Sequence, residues 1–292
     1  MKALFINSQQ QLRNGWWIVV FIALLAASRL IYAPTRDLMV SSGLGELWIE
    51  PLGFVFILAI TWGCCRLRNE RLTNVGLSLS GRSVRLLHIG LLFGCAQIAV
   101  LVGTIWLAGG VQFSLNPHSS VQALTSGFYV FLCAALMEEL LFRGFVFQRL
   151  IDGLGNWPAL IGMGVLFSMA HWTNPDFQGD TLVWASLDMG LGAILWGLAY
   201  IRTGSLALPI GMHLGWNWLL GSVFGMGVSG YQHTGVLLPT LMDSPSWLTG
   251  GNFGPEASVA AVAVDAIAVG LLWRWKGSHV ATHPQSVVPA AV

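Results

Sequence analysis

The chain has 292 residues, of which 55% are hydrophobic and 9% charged, whereas an average soluble domain carries roughly 25% charged residues. A soluble monomer has no means of hiding that much apolar surface, and the 14 Trp and 35 Gly agree with lipid as the main solvent, since Trp gathers at bilayer interfaces and Gly is commoner in membrane helices than in soluble ones. A formal net charge of +1 excludes the strong basic field that attracts nucleic acid, so no nucleic-acid partner is expected.

In chain order, Lys2 and Arg13 precede a first apolar run that no small-residue cleavage site closes, so this run is read as a retained helix rather than a removed signal peptide. Apolar runs of the length that a bilayer core requires, about 20 residues, fall at 15–33, 47–65, 86–108, 121–142, 157–172, 181–201, 206–224 and 257–273. Pro209 lies near the start of the seventh, where an early-turn proline is tolerated. The expected fold is therefore all-α, a polytopic membrane helix bundle of about eight transmembrane helices. Basic residues test that count, because cytoplasmic loops are enriched in Lys and Arg. Lys2, Arg13, Arg66, Arg68, Arg71, Arg82, Arg85, Arg143, Arg149, Arg202, Arg274 and Lys276 all fall on the termini and even-numbered connections, leaving only Arg29 and Arg36 toward the other side. Both termini are thus expected in the cytoplasm, with the protein in the cytoplasmic membrane and lipid as its surroundings. Residues 1–276 read as one transmembrane domain and 277–292 as a disordered cytoplasmic tail, whose His279 and His283 need no metal. Cys64, Cys65, Cys95 and Cys133 lie in apolar runs and read as small buried hydrophobes.

An ionised side chain near the bilayer centre costs at least ~2.5 kcal/mol, so ionisable residues inside spans are functional candidates. They cluster here. The fourth span carries Glu138 and Glu139. Adjacent carboxylates point about 100° apart on a helix, which argues against their sharing one partner. Glu139 and Arg143, four apart, are expected to pair along the helix, with Glu139 serving position rather than chemistry and Glu138 left free. The turn to the next helix is placed at Asp152–Gly153–Leu154–Gly155–Asn156. Folding there brings Glu138 and His171 to one depth. The seventh span adds His213 and Asn217 on a shared face. A carboxylate, two imidazoles and a carboxamide in a low-dielectric site suit hydrolysis. Glu138 would act as general base with His171 orienting the water, and His213 and Asn217 would donate to the oxyanion formed at a peptide carbonyl.

Glu138-Glu139-x-x-x-Arg143, Phe167-x-x-x-His171 and His213-x-x-x-Asn217 together resemble, in order, the three motifs of the CPBP family, the intramembrane CAAX prenyl endopeptidases and bacteriocin-processing or immunity proteins. The resemblance covers about 134–220; the other helices match in hydropathy alone. It implies cleavage of a membrane-associated peptide or protein, prenylated or not, at Glu138, His171, His213 and Asn217, with Glu139 and Arg143 in support. Zinc held by His171, His213 and Glu138 is one form of the chemistry, making a metalloprotease. The metal-free form is preferred because Asn217 is a poor zinc ligand and a good oxyanion donor, and no His-Glu-x-x-His signature is present.

Outside the motifs, Asp188 and Asp265 lie in apolar surroundings without an assigned role, as satellites of the site or partners of backbone and Trp groups. Trp172, Trp184, Trp196, Trp216 and Trp218 read as interfacial anchors and packing residues, and His118 and His233 as outer-loop residues with no special part. Two other classes of function use the same residues. A non-catalytic membrane scaffold or immunity protein would keep the motifs for helix contacts, and a transporter would use the carboxylates as relays, although no matched broken helices are evident.

Overall fold

The computed structural model describes residues 2–7 and 11–277. The expected polar tail lies, apart from Gly277, outside the described residues. In chain order the elements are α1 (Lys2–Phe5), α2 (Asn14–Ser41), α3 (Glu46–Ile49), α4 (Leu52–Leu67), α5 (Gly81–Leu107), β1 (Val111–Leu115), α6 (Val121–Arg143), α7 (Phe145–Leu154), α8 (Asn156–His171), α9 (Asp180–Thr203), α10 (Ala207–Trp218), β2 (Leu237–Leu241), α11 (Ser246–Thr249) and α12 (Val259–Arg274). Every apolar run expected to form a helix does so, and the molecule is a helical bundle. Segments 14–41, 46–67, 81–107 and 180–203 are long and apolar enough to cross a bilayer by themselves. The remaining apolar helices are shorter or carry charge. At 1.5 Å per residue, the 16 residues of α8 reach about 24 Å, less than a hydrocarbon core of about 30 Å.

Local chemistry explains several boundaries. Ser80, Ser120 and Ser258 start α5, α6 and α12, each with its hydroxyl accepting a backbone N–H three residues on, at 3.1 Å. The first span runs past its expected end at Ala33, because Pro34 lies within α2 rather than closing it. The Thr35 hydroxyl donates to the Ile31 carbonyl at 2.7 Å, the kind of local repair that makes proline tolerable in a membrane helix.

Two departures concern connections. The stretch expected to end in a simple turn contains α7, whose Phe145, Phe147 and Arg149 are buried while Gly153 and Leu154 are exposed. The change of direction is compressed into Gly155, at φ +86°, a left-handed conformation that glycine adopts at little cost. At the other end of the bundle, β1 and β2 form a two-stranded antiparallel ribbon, with Val111 opposite Leu241 and Leu115 opposite Leu237.

The tightest packing joins α5 and α10. A Cβ placed on Gly90 would lie 2.3 Å from the Leu208 carbonyl oxygen, and one on Gly94 would lie 2.1 Å from that of Met212. From the opposite side, Cβ atoms on Gly211 and Gly215 would each meet a carbonyl oxygen, of Leu87 and Leu91, at 2.2 Å. Two small-x-x-x-small stripes thus face each other and let the backbones touch. The result is a clamp on the helix that bears His213 and Asn217.

Even-numbered connections converge at one end of the bundle. Glu70 pairs with Arg68 at 2.8 Å and with Arg149 of α7 at 3.2 Å. Arg82 donates to the Thr203 carbonyl at 2.8 Å, and Arg202 to that of Trp273 at 2.6 Å. Arg68, Arg82, Arg149 and Arg202, all used to count spans, therefore share one end of the molecule. The four cysteines are free; Cys64, Cys65 and Cys133 are buried and Cys95 is half-buried, as small hydrophobes among helices.

Candidate active site

A cavity of about 620 Å³ opens among α6, α8, α9 and α10, and its walls include Glu138, His171, His213 and Asn217. The structure thus brings together all four residues singled out in the sequence, from three separate helices. Glu138 and His171 come from helices whose contact is made one turn beyond each of them, where the rings of Phe142 and Phe167 meet edge to face at 4.9 Å.

His213 is held on three sides. Its Nδ1 lies 3.0 Å from Glu139 Oε1, and its Nε2 lies 4.0 Å from Glu138 Oε2. Its ring stacks on Trp196 at 4.2 Å with an interplanar angle of 16°. The adjacent carboxylates do therefore approach one group, contrary to the expectation from helix geometry. The reason is that the two nitrogens of an imidazole look in different directions, so one ring spans the angle between neighbouring side chains. A carboxylate can only accept, which assigns the Nδ1 proton to the Glu139 contact and leaves Nε2 facing Glu138 and the cavity.

The expected pair between Glu139 and Arg143 is present, with Oε1 and Nη1 3.1 Å apart and both side chains at most 1% exposed. Arg143 is also caged, its guanidinium 4.9 Å from the ring of Phe167 and 5.3 Å from that of Trp196. Aromatic faces of this kind attract a desolvated cation. Glu139 Oε1 is consequently shared between a fixed cation and His213, an orienting contact of the type that sets an imidazole's tautomer and angle.

The Phe167-x-x-x-His171 spacing has a double use. The Phe167 carbonyl accepts from His171 Nδ1 at 2.8 Å, which leaves His171 Nε2 available to the cavity, while the Phe167 ring packs on His171 at 4.5 Å and on Arg143. Asn217 lies one turn beyond His213 on α10, 8% exposed and on the same cavity wall.

Several cavity residues were not evident in the sequence. Glu256 belongs to none of the three motifs, yet it is buried and lines the cavity. It accepts from Trp216 Nε1 at 2.8 Å and from the backbone N–H of Ser229 in a very short contact. Burial pushes its carboxyl up, and those two hydrogen bonds act against the shift. His233 is no idle loop residue either: it faces the cavity and packs on Phe131 at 5.1 Å, and burial pushes its imidazole down. Trp196 and Trp216 are buried in the protein, at 7% and 3% exposure, rather than placed at a bilayer interface. Trp172 is exposed, and its indole N–H donates to the Ser186 hydroxyl at 3.2 Å. Asp188 and Asp265 both line the same cavity. His118 is exposed in the loop between β1 and α6, its backbone N–H donating to Asn116 Oδ1 at 3.0 Å.

The zinc set of His171, His213 and Glu138 does not assemble. Among the described residues no three His, Cys, Asp or Glu side chains are grouped so as to hold a metal ion.

Residues 120–219 match the type II CAAX prenyl endopeptidase Rce1-like family. The match covers all three motifs and bears out the resemblance read from them. The chain is also similar to the uncharacterized protein YyaK of Bacillus subtilis (strain 168), 26% identical over 181 residues that make up 58% of this chain and 57% of that protein. The chain thus spans a little over half the length of that curated relative. Together with the long apolar helices, the Rce1-like segment makes this an integral membrane protein.

Proposed function

We propose that this protein is an intramembrane endopeptidase that hydrolyses a peptide bond of a membrane-associated protein or peptide, with α2, α4, α5, α6, α8, α9, α10 and α12 as its eight crossings and the Arg-rich end in the cytoplasm. The observation that carries the reading is the convergence of Glu138, His171, His213 and Asn217 on one cavity, with His213 fixed by Glu139 at 3.0 Å. The Rce1-like segment supports the same class of chemistry, with a prenylated carboxy-terminal peptide as one candidate substrate.

In this mechanism Glu138 takes a proton from water while His171 Nε2 orients it, and the water attacks the scissile carbonyl. The Asn217 carboxamide donates to the developing oxyanion together with His213. Donation from both ring nitrogens of His213 requires the imidazolium form, for which the Glu139 carboxylate is the counter-ion. Arg143 pairs with Glu139 at 3.1 Å and holds that carboxylate in place. Glu138 then returns the proton to the departing amine, closing the cycle without net proton change.

The test is cleavage of a lipid-anchored peptide, with and without a prenyl group, by the purified protein in liposomes, followed by mass spectrometry. Glu138→Gln should abolish turnover and leave thermal unfolding unchanged. Wild-type rates in that variant would remove Glu138 as the base.

A further inference from the structure

Among the described residues, Arg29 of α2 is the one Lys or Arg side chain on the wall of the cavity that holds Glu138. The hydrolytic mechanism leaves it unused. Arg143, the other guanidinium close to the site, is shut away at 1% exposure against Glu139. Arg29 is instead exposed, and among the described residues it has neither an ion-pair nor a hydrogen-bond partner. Glu138, on the same wall, faces His213 Nε2 at 4.0 Å. Contacts between helices set the level of Arg29. The rings of Phe21 and Phe145 stack at 5.8 Å. From that contact Arg29 lies about 12 Å along α2 and Glu138 about 10 Å back toward α6, at 1.5 Å per residue. The cation and the candidate base therefore stand at similar heights. Arg36, two turns further along α2, lines an adjoining cavity that shares Ala134 and Met137 with the first, and there it has Glu46 and Glu50 for company. Arg29 has no such acid supplied for it.

Depth makes an unpaired guanidinium expensive at this place. Arg29 lies among Leu24, Leu25, Leu30 and Ile31, about 18 Å along α2 from Trp17 and about 12 Å from Asp37. Both distances exceed what an arginine side chain can span to bring its charge to a helix end. An arginine in mid-span costs at least ~2.5 kcal/mol when it faces lipid, so the charge belongs to the cavity, and lipid headgroup phosphates are out of its reach. A ligand for it has to come into the cavity. The guanidinium offers paired N–H donors in a planar fork that matches the two oxygens of a carboxylate. In an unmodified peptide that group is either the chain terminus or an Asp or Glu side chain.

We propose that Arg29 is a specificity-determining residue that receives a carboxylate of the peptide entering the cavity. This rests on the peptidase reading for its ligand being a peptide; it adds a fixed anchor at the level of Glu138, which sets how far from a negative charge the chain is cut. α2, with Phe21 as its one buried residue, carries the anchor on the loosely packed side of the bundle, where a chain coming from lipid would meet it first.

The experiment uses the inactive Glu138→Gln protein, full length in phosphatidylcholine liposomes, and a fluorescent acyl-anchored peptide in two sets. One compares a free carboxy-terminus with its amide; the other compares Asp with Asn at each position in turn. In one set a carboxylate should bind at least about ten-fold tighter than its neutral partner, the ratio expected for a charge-assisted contact, and the set in which this occurs identifies the source of the carboxylate. Arg29→Gln, checked for folding by thermal unfolding, should bring that ratio close to one. Equal binding throughout both sets, or a ratio untouched by Arg29→Gln, overturns the anchor. The comparison with Arg29 in place decides the matter even if the variant fails to fold. Cleavage of the same peptides by the wild-type protein separates the two claims: cutting with equal kcat/KM for charged and neutral partners rejects the anchor alone, whereas Arg29-dependent carboxylate binding without cutting rejects the peptidase alone.

Discussion

Substituting Gly94 by alanine tests whether backbone contact between α5 and α10 holds the site in place. The new methyl carbon would lie 2.1 Å from the Met212 carbonyl oxygen and 2.8 Å from the Trp216 nitrogen. Neither atom belongs to a side chain that can swing away. Restoring van der Waals contact means parting the helices by roughly 1 Å or more. Overpacking of a well-packed core costs about 1–3 kcal/mol, and the rigid obstacle here places Gly94→Ala at the upper end of that range. Gly103→Ala on the same helix is the control, because nothing lies within 4 Å of its added carbon and alanine favours helix over glycine by about 1 kcal/mol. Unfolding of both variants in the same detergent, followed by near-ultraviolet circular dichroism, should show Gly94→Ala clearly less stable than wild type and Gly103→Ala equal or slightly more stable. Met212 and Trp216 flank His213, so a displacement of this size should also lower peptide cleavage by about 10²-fold, as 1 Å misplacements do. Equal stability of the two variants would refute the backbone-contact argument.

Other expectations follow from single contacts. Glu139→Gln leaves the fully buried Arg143 without its counter-charge and should cost about 3–5 kcal/mol, visible as a large fall in the unfolding midpoint; Glu139→Gln combined with Arg143→Leu should recover part of it. Trp216→Phe removes the indole donor to Glu256 and should destabilise by about 1.5–3 kcal/mol. In a Glu256→Gln background the same change should cost less, and full additivity would show that the two side chains are not coupled. His233 titrates below its usual 6.5 in the fold because of burial, so the unfolded chain binds the proton more readily. The stability this group contributes is complete above pH 6.5 and is lost as pH falls through its folded value. Unfolding midpoints measured across that window should decline with acid, and His233→Gln should flatten the decline; an unchanged slope would count against the burial effect.

How much of this was legible depended on the range of the interaction. The pairing of Glu139 with Arg143, and of His171 with its own Phe167 carbonyl, repeats with the helical period, and a period is visible in a sequence. The link from Glu139 to His213 joins positions 74 residues apart, and no local pattern announces which of two adjacent glutamates will turn toward it. The span helices were legible as apolar runs. Helix α7 was hidden, because its amphipathic ten residues lie between two spans and end in the glycine that suggests a turn. Glu256 was missed for the opposite reason: it sits in an irregular stretch of polar and small residues, where only the fold brings it under Trp216 and Ser229. The Gly90/Gly94 and Gly211/Gly215 stripes are written plainly in the chain, but the choice of each as the other's partner is a property of the assembled bundle.

The glycine clamp gives the site one unyielding side. His213 and Asn217 ride on a helix whose backbone already touches its neighbour's, so that wall has no room to give when a peptide arrives. Glu138 rides on α6, where the closest approach at Gly53 of α4 is made by the thioether of Met137, 2.5 Å from an added Cβ, a flexible side chain rather than a backbone. Beyond it stands α2, with Phe21 as its one buried residue. If the proposed chemistry holds, a peptide would enter and leave between α2, α4 and α6, where Glu138 can shift with the incoming chain while His213 and Asn217 stay in register.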